Sequence, residues 1–214
     1  MYSIFHDFWG AAHNKCNLNF RISKKSWKLP VIFHNLRGYD GHLIIKHLTS
    51  EYKRIRVIPT NMEKFMSFSV GQLQFIDSMQ FAMGSLDKLV KTLDDDDLKY
   101  TAAEFSNDQL NLAKKKGVFP YDHLDSLQRL EETQLPTRRH FANKLSDTRC
   151  RLADYWRAKQ VWRVFKCETF RDYHDVYLKT DVLLLADFFE KFRQTCLENY
   201  GLDAVHYFSG KNFT

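Results

Sequence analysis

A chain of 214 residues is long enough to bury a real core, as one large domain or a domain plus an appendage. Its formal charge of +6, from 32 Lys and Arg against 26 acids, suits a polyanionic partner, and aromatic residues at 15% can fill a core with some left to stack on bases. Four scattered cysteines with no Cys-x-x-Cys pair, no signal-like segment after Met1 and no apolar run of bilayer length argue for an intracellular, soluble, reduced protein, and against a disulfide scaffold, a secreted product or a membrane protein.

Residues 1–28 mix aromatic, polar and basic side chains without a period and read as an irregular lead-in. From Leu29 the signal sharpens. Pro30 to Phe33 predicts a strand, and Gly41 to Leu48 predicts a helix, so Asp40 stands where strand hands over to helix. Arg56 to Pro59 alternates, and Phe65 to Val70 with Leu73 to Asp77 predicts a hairpin turned at Gly71. Ser85 is placed to cap a short helix in which Leu86, Leu89, Val90 and Leu93 share one face. The run Asp94 to Asp97 is expected to be a solvated loop, because consecutive carboxylates cannot all converge on one ion and oppose a helix C-terminus. Lys99 to Thr148 is polar, contains Pro120 and Pro136, and shows only short helical stretches such as Asp122 to Glu132. It reads as an insertion or ligand-facing loop region. A helix is predicted from Leu152 to Phe165, and a long one from Asp172 to Tyr200 with Gly201 as its stop. The class is α/β, without internal repeats.

Two aspartates carry the candidate chemistry. Asp181 lies on the helical stripe of Tyr177, Leu184, Leu185 and Phe188, and a carboxylate there needs a compensating charge from a basic side chain or a divalent metal. A two-metal phosphodiester site needs several carboxylates around ions roughly 3.5–4 Å apart, so Asp40 and Asp181 are a minimum. Tyr177, one turn before Asp181, can aim its hydroxyl at the same place. The alternatives are a helix N-cap for Asp40, a pairing with lysine or arginine for Asp181, and a core aromatic for Tyr177.

The string His34-Asn35-Leu36-Arg37-Gly38-Tyr39-Asp40 resembles the second exonuclease motif of family B DNA polymerases, and Tyr177-Leu178-Lys179-Thr180-Asp181 resembles the third. Between them, Ser85-Leu86-Asp87-Lys88-Leu89 and Lys116-Gly117-Val118-Phe119 resemble two motifs of the protein-primed branch, in the same order. The wording of His34 to Leu48 and Asp172 to Phe208 is similar to the protein-primed polymerases of Polinton (Maverick) transposons and related viruses. The resemblance implies that residues 29–208 form a 3′–5′ proofreading exonuclease domain of RNase H-like fold, a mixed central sheet flanked by helices, followed by a divergent tail at residues 209–214. It further implies that Asp40 and Asp181 hold Mg²⁺ or Mn²⁺ and that Tyr177 orients the attacking water. Asn35 and Tyr39 would grip the 3′-terminal nucleotides, and Ser85, Leu86, Lys116 and Tyr121 would contact single-stranded DNA or the terminal (priming) protein. The implied setting is the nucleus or a viral replication site, with the rest of the polymerase as a partner.

Two departures qualify that expectation. No Asp-x-Glu, the family's first exonuclease motif, precedes Asp40, and no polymerase palm follows before Thr214. The chain therefore reads as a fragment of a DNA-directed DNA polymerase, expected to be a poor nuclease and no polymerase by itself. In addition, Gly10 to Leu18 resembles the second half of a zinc-binding element found within some of these polymerases. His13 and Cys16 would supply two ligands, but with no Cys-x-x-Cys before them zinc is not expected to bind. Besides the proofreading enzyme, a non-catalytic module for single-stranded DNA or the terminal protein, and a plain α/β scaffold, remain open.

Overall fold

The computed structural model describes residues 27–38, 40–51, 55–59, 65–142 and 149–210. His13, Cys16 and Tyr39 lie outside the described residues. Four strands, β1 (Leu29–Phe33), β2 (Ile55–Pro59), β3 (Phe65–Val70) and β4 (Leu73–Asp77), form one mixed sheet in the order β1-β4-β3-β2. Gly71, at φ 58°, turns β3 into β4, the left-handed conformation that glycine adopts without a Cβ penalty. Phe68 and Phe75 are register partners across that hairpin, and their rings stack at 4.4 Å. Burying one such ring contributes about 2–3 kcal/mol.

Strand β1 pairs with β4 in parallel, with Phe33 opposite Asp77. Parallel pairing brings the C-terminal ends of both strands to the same edge of the sheet, so the loop leaving β1 and the carboxylate ending β4 become neighbours. Helix α1 (Asp40–Glu51) then packs Ile44, Ile45 and Leu48 onto a cluster of Leu36, Phe68, Val70 and Phe75.

Five more α-helices follow among the described residues: α2 (Leu86–Val90), α3 (Lys99–Glu104), α4 (Asn107–Ala113), α5 (Leu152–Val164) and α6 (Phe170–Tyr200). A capping box of Thr169 and Asp172 starts α6, and Gly201, at φ 67°, ends it. Its first half packs Phe170 and Tyr173 against Phe119, Leu130, Phe141 and Ala158. Its middle packs Leu184 against Leu86, Val90 and Leu98. Asp181 lies one turn beyond Tyr177 and just short of Leu184, where these two apolar clusters meet. No helix among the described residues is long and apolar enough to cross a membrane.

Two expectations for the middle of the chain are corrected. The stretch from Lys99, expected to be an insertion or ligand-facing loop region, also builds core, because it contributes α3, α4 and the buried Phe119, Leu130 and Phe141. Within it, Asp122 to Glu132 is two 3-10 turns, Tyr121–His123 and Leu127–Glu131, rather than one helical stretch. The acidic run is solvated as expected at Asp94, Asp95 and Asp96, but it is turned and paired rather than a plain loop. Asp95–Asp97 is a 3-10 turn in which Asp95 pairs with Lys114 at 2.8 Å and Asp97 pairs with Lys191 of α6.

Candidate functional site

The segment after α4 runs from Lys115 to Pro120 without helix or strand and crosses the first half of α6. Two contacts set its height there. The Tyr173 hydroxyl donates to the Val118 carbonyl at 2.7 Å. Gly117 lies so near the Tyr177 ring that a Cβ would stand 3.1 Å from Cδ2, a tight contact that would push the ring back by a few tenths of an ångström.

Lys116 is thereby delivered to α6. Its ammonium donates to the Tyr177 hydroxyl at 3.0 Å and bonds Oδ2 of Asp181, residues 61 and 65 positions further along the chain. The Tyr177 hydroxyl also shares a 2.6 Å hydrogen bond with that of Tyr121. Tyr177 packs against Phe119, with centroids 5.0 Å apart, and burial, reinforced by the Asp181 charge and the Tyr121 hydrogen bond, drives its pKa far upward. Its hydroxyl therefore stays protonated and serves as a neutral donor and acceptor. Tyr121, by contrast, is 58% exposed and presents its ring to solvent.

Four of the sequence-predicted residues, Lys116, Tyr121, Tyr177 and Asp181, thus form one hydrogen-bonded group. The charge that compensates Asp181 on its apolar stripe is the Lys116 ammonium. The remaining predicted residues within the described part of the chain are not hydrogen-bonded into this group. Asp40 is exposed in the first turn of α1, as its first helical residue rather than its cap, and is not among the partners of Asp181. Ser85 caps α2, its hydroxyl accepting from Lys88 N–H at 3.4 Å. Leu86, expected to touch single-stranded DNA or the terminal protein, is only 7% exposed and packs with Val90, Leu98 and Leu184, so its surface is spent in the core.

The donor set for divalent metal is incomplete. One Asp181 oxygen is held by Lys116, the other is buried without a hydrogen-bond partner, and no group of three or more His, Cys, Asp or Glu suited to a metal occurs among the described residues. These residues do not by themselves fit a two-metal centre.

Asn35 adopts a left-handed φ of 67° in the loop after β1. The residue that holds it there is Asp77, a buried carboxylate that sequence reasoning missed although it lies in an apolar run, Phe75-Ile76-Asp77. Asp187 is a second such residue. It is 1% exposed and accepts from the N–H groups of Tyr100 at 2.7 Å and Thr101 at 3.1 Å, which anchors the start of α3 to α6. The signal for both was the one used for Asp181, a carboxylate among apolar neighbours.

No curated protein and no solved structure matches the chain. A family model does, over residues 22–209, and its description is DNA polymerase type B, organellar and viral. The match spans the sheet, the β1 loop and the Lys116 cluster, and with nearly the whole sequence inside it the chain belongs to the organellar and viral type B DNA polymerases.

Proposed function

We propose that the chain is the 3′–5′ proofreading exonuclease region of a protein-primed type B polymerase, of the kind carried by Polinton-type transposons or related viruses, with an RNase H-like fold. In this reading the Lys116 cluster grips the single-stranded 3′ end of DNA. The observation that carries it is the convergence of Lys116, Tyr121, Tyr177 and Asp181 from two distant parts of the chain. Lys116 offers a positive charge to a phosphate, Tyr121 an exposed ring to a base, and Tyr177 a protonated hydroxyl to a phosphate or sugar oxygen. A frayed 3′ end is favoured because its bases are already unstacked. Mg²⁺ or Mn²⁺ at Asp40 and Asp181 belongs to this proposal only for a protein that adds further carboxylates to the site.

A second reading, a non-catalytic module for single-stranded DNA or the terminal protein, is favoured by the Lys116–Asp181 ion pair and by the incomplete donor set. One experiment separates the two. A 3′-labelled single strand is incubated with the chain and Mg²⁺ or Mn²⁺, and both binding and shortening are followed. Shortening that disappears in Asp181→Ala supports the exonuclease. Binding without shortening, weakened by Lys116→Ala and Tyr121→Ala, supports the module. Absence of both binding and shortening rejects the exonuclease and the single-stranded DNA module together.

A further inference from the structure

Arg157 of α5 stands beside the Lys116 cluster, and the hydrogen bonds of its guanidinium go to backbone carbonyls rather than to the cluster's side chains. Its guanidinium donates to the carbonyl of Leu112 at 2.5 Å, to that of Lys116 at 2.9 Å, and to that of Lys115. Leu112 lies in the last turn of α4, where carbonyl oxygens have no donors within the helix. Lys115 and Lys116 lie just beyond that end, where no helix or strand fixes the backbone. One planar group therefore ties the end of α4 to the two residues that follow it.

Arg157 makes no ion pair among the described residues, and its burial lowers its pKa. A partly buried guanidinium without an ion-pair partner is a costly way to hold a helix end, and apolar side chains would fill the same space without desolvating a charge. What only a guanidinium supplies is a rigid fork that fixes the relative directions of several acceptors at once.

Resting on the reading that the Lys116 cluster grips DNA, we propose that Arg157 is a positioning residue for strand binding: by clamping the carbonyls of Leu112, Lys115 and Lys116 it aims the Lys116 ammonium at Tyr177, Asp181 and the incoming phosphate. The downstream side of the segment is held independently, by Gly117 against the Tyr177 ring and by Tyr173 on the Val118 carbonyl. Rotation of the Lys116 peptide is thus restrained from both directions, and loss of Arg157 frees the upstream one.

The test is a double-mutant cycle on the 214-residue chain, read by fluorescence anisotropy of a labelled short single strand across a salt series. Lys116→Ala is expected to weaken binding roughly fivefold and to lower the salt slope by about 0.7, the loss of one phosphate contact on a single strand. Arg157→Gln is expected to produce a comparable change although it touches no strand. In the Lys116→Ala background, Arg157→Gln should alter neither affinity nor slope further, while its effect on the unfolding midpoint persists in both backgrounds. Should Arg157→Gln fail to fold, Arg157→Lys, which keeps the charge and loses the fork, replaces it in the same cycle. An equal loss of affinity with and without Lys116 overturns the positioning role, as does Arg157→Gln binding normally while Lys116→Ala binds poorly. Normal binding by Lys116→Ala alone rejects the DNA-gripping reading itself.

Discussion

The carboxylate of Asp77 holds the backbone of Asn35. Oδ1 accepts the Asn35 N–H at 2.9 Å and the Met79 N–H at 3.0 Å, while Oδ2 accepts the Arg37 N–H at 3.3 Å, with the Arg37 guanidinium 3.8 Å away. Asparagine tolerates the left-handed conformation better than most residues, yet a local restraint is still needed to keep it there. Asp77, 1% exposed at the end of β4, provides that restraint because parallel pairing sets it opposite Phe33.

Replacing Asp77 should therefore be expensive. Asp77→Ala removes a charged acceptor from three N–H groups and is expected to lower unfolding free energy by about 3 kcal/mol. Asp77→Asn, which keeps one carbonyl acceptor, should lose roughly half of that. Urea denaturation of the three proteins checks the ranking, and an Ala variant as stable as the parent would show that solvent replaces the carboxylate at no cost.

The neighbouring Gly38 gives a prediction of opposite character. A Cβ there would stand 2.6 Å from Oδ1 and 2.8 Å from Nδ2 of Asn35, close enough that the amide must move. Since the obstacle is the tip of a side chain rather than backbone, Gly38→Ala is expected to cost less than about 1 kcal/mol of stability while displacing the Asn35 amide. The change is read from the Asn35 side-chain amide resonances in a ¹⁵N correlation spectrum. Resonances at their parent positions would refute it.

These contacts mark what the sequence makes legible and what it hides. Alternation about Gly71 reveals the β3–β4 hairpin, and Gly201 reveals the end of α6, because turn and cap chemistry are local. Asp181 could be recognised as a carboxylate needing a counter-charge, but the choice of Lys116 depends on where an irregular segment crosses a helix. Asp77 and Asp187 obey the same rule as Asp181 and were hidden because most of their partners are backbone N–H groups, which leave no trace in side-chain spacing. The role of Arg157 is concealed for the same reason. The middle segment misleads because its 3-10 turns are set by packing of Phe119, Leu130 and Phe141 rather than by a helical period.

At the far end of α6, Arg193 and Asp203 form a two-point pair, with nitrogen to oxygen distances of 2.8 and 2.6 Å, and Asp203 also accepts from Val205 N–H at 3.1 Å. The Arg193 hydrogen bond lowers the Asp203 pKa from its usual 3.8. A depressed carboxylate pKa stabilises the fold at pH values above the unfolded value, and that contribution disappears as pH falls through the folded one. Asp203→Asn should therefore lower the melting temperature at neutral pH, and that deficit should begin to shrink as pH falls below about 3.8 toward the folded value. A deficit unchanged from pH 7 to pH 3 would mean that the pair's charge does not contribute.

Tyr121 and Tyr177 share a hydrogen bond but should behave differently when altered. Tyr121→Ala removes an exposed ring and is expected to weaken single-strand binding by about 1–3 kcal/mol with little change in stability. Tyr121→Phe keeps the ring and should retain most of that affinity. Equal losses in the two variants, measured by anisotropy, would assign the effect to the hydroxyl and its bond to Tyr177.

The Lys116–Asp181 pair can be weighed without DNA. Its side chains are 27% and 19% exposed, so solvent screens the attraction only in part. Lys116→Met leaves Asp181 without its ammonium on a stripe between two apolar clusters, and is expected to destabilise the fold by about 1–2 kcal/mol, less than the loss from breaking a fully buried pair. Asp181→Asn removes the charge that Lys116 answers and should cost less, because the lysine can extend toward solvent. The double variant should be more stable than the two single losses predict, by about 1 kcal/mol, since neither change then strands a charge. Chemical denaturation of the four proteins closes the cycle. Strict additivity would mean that Asp181 is held by its packing alone, leaving Lys116 uncommitted in the folded chain and its ammonium available to a phosphate without first breaking an ion pair.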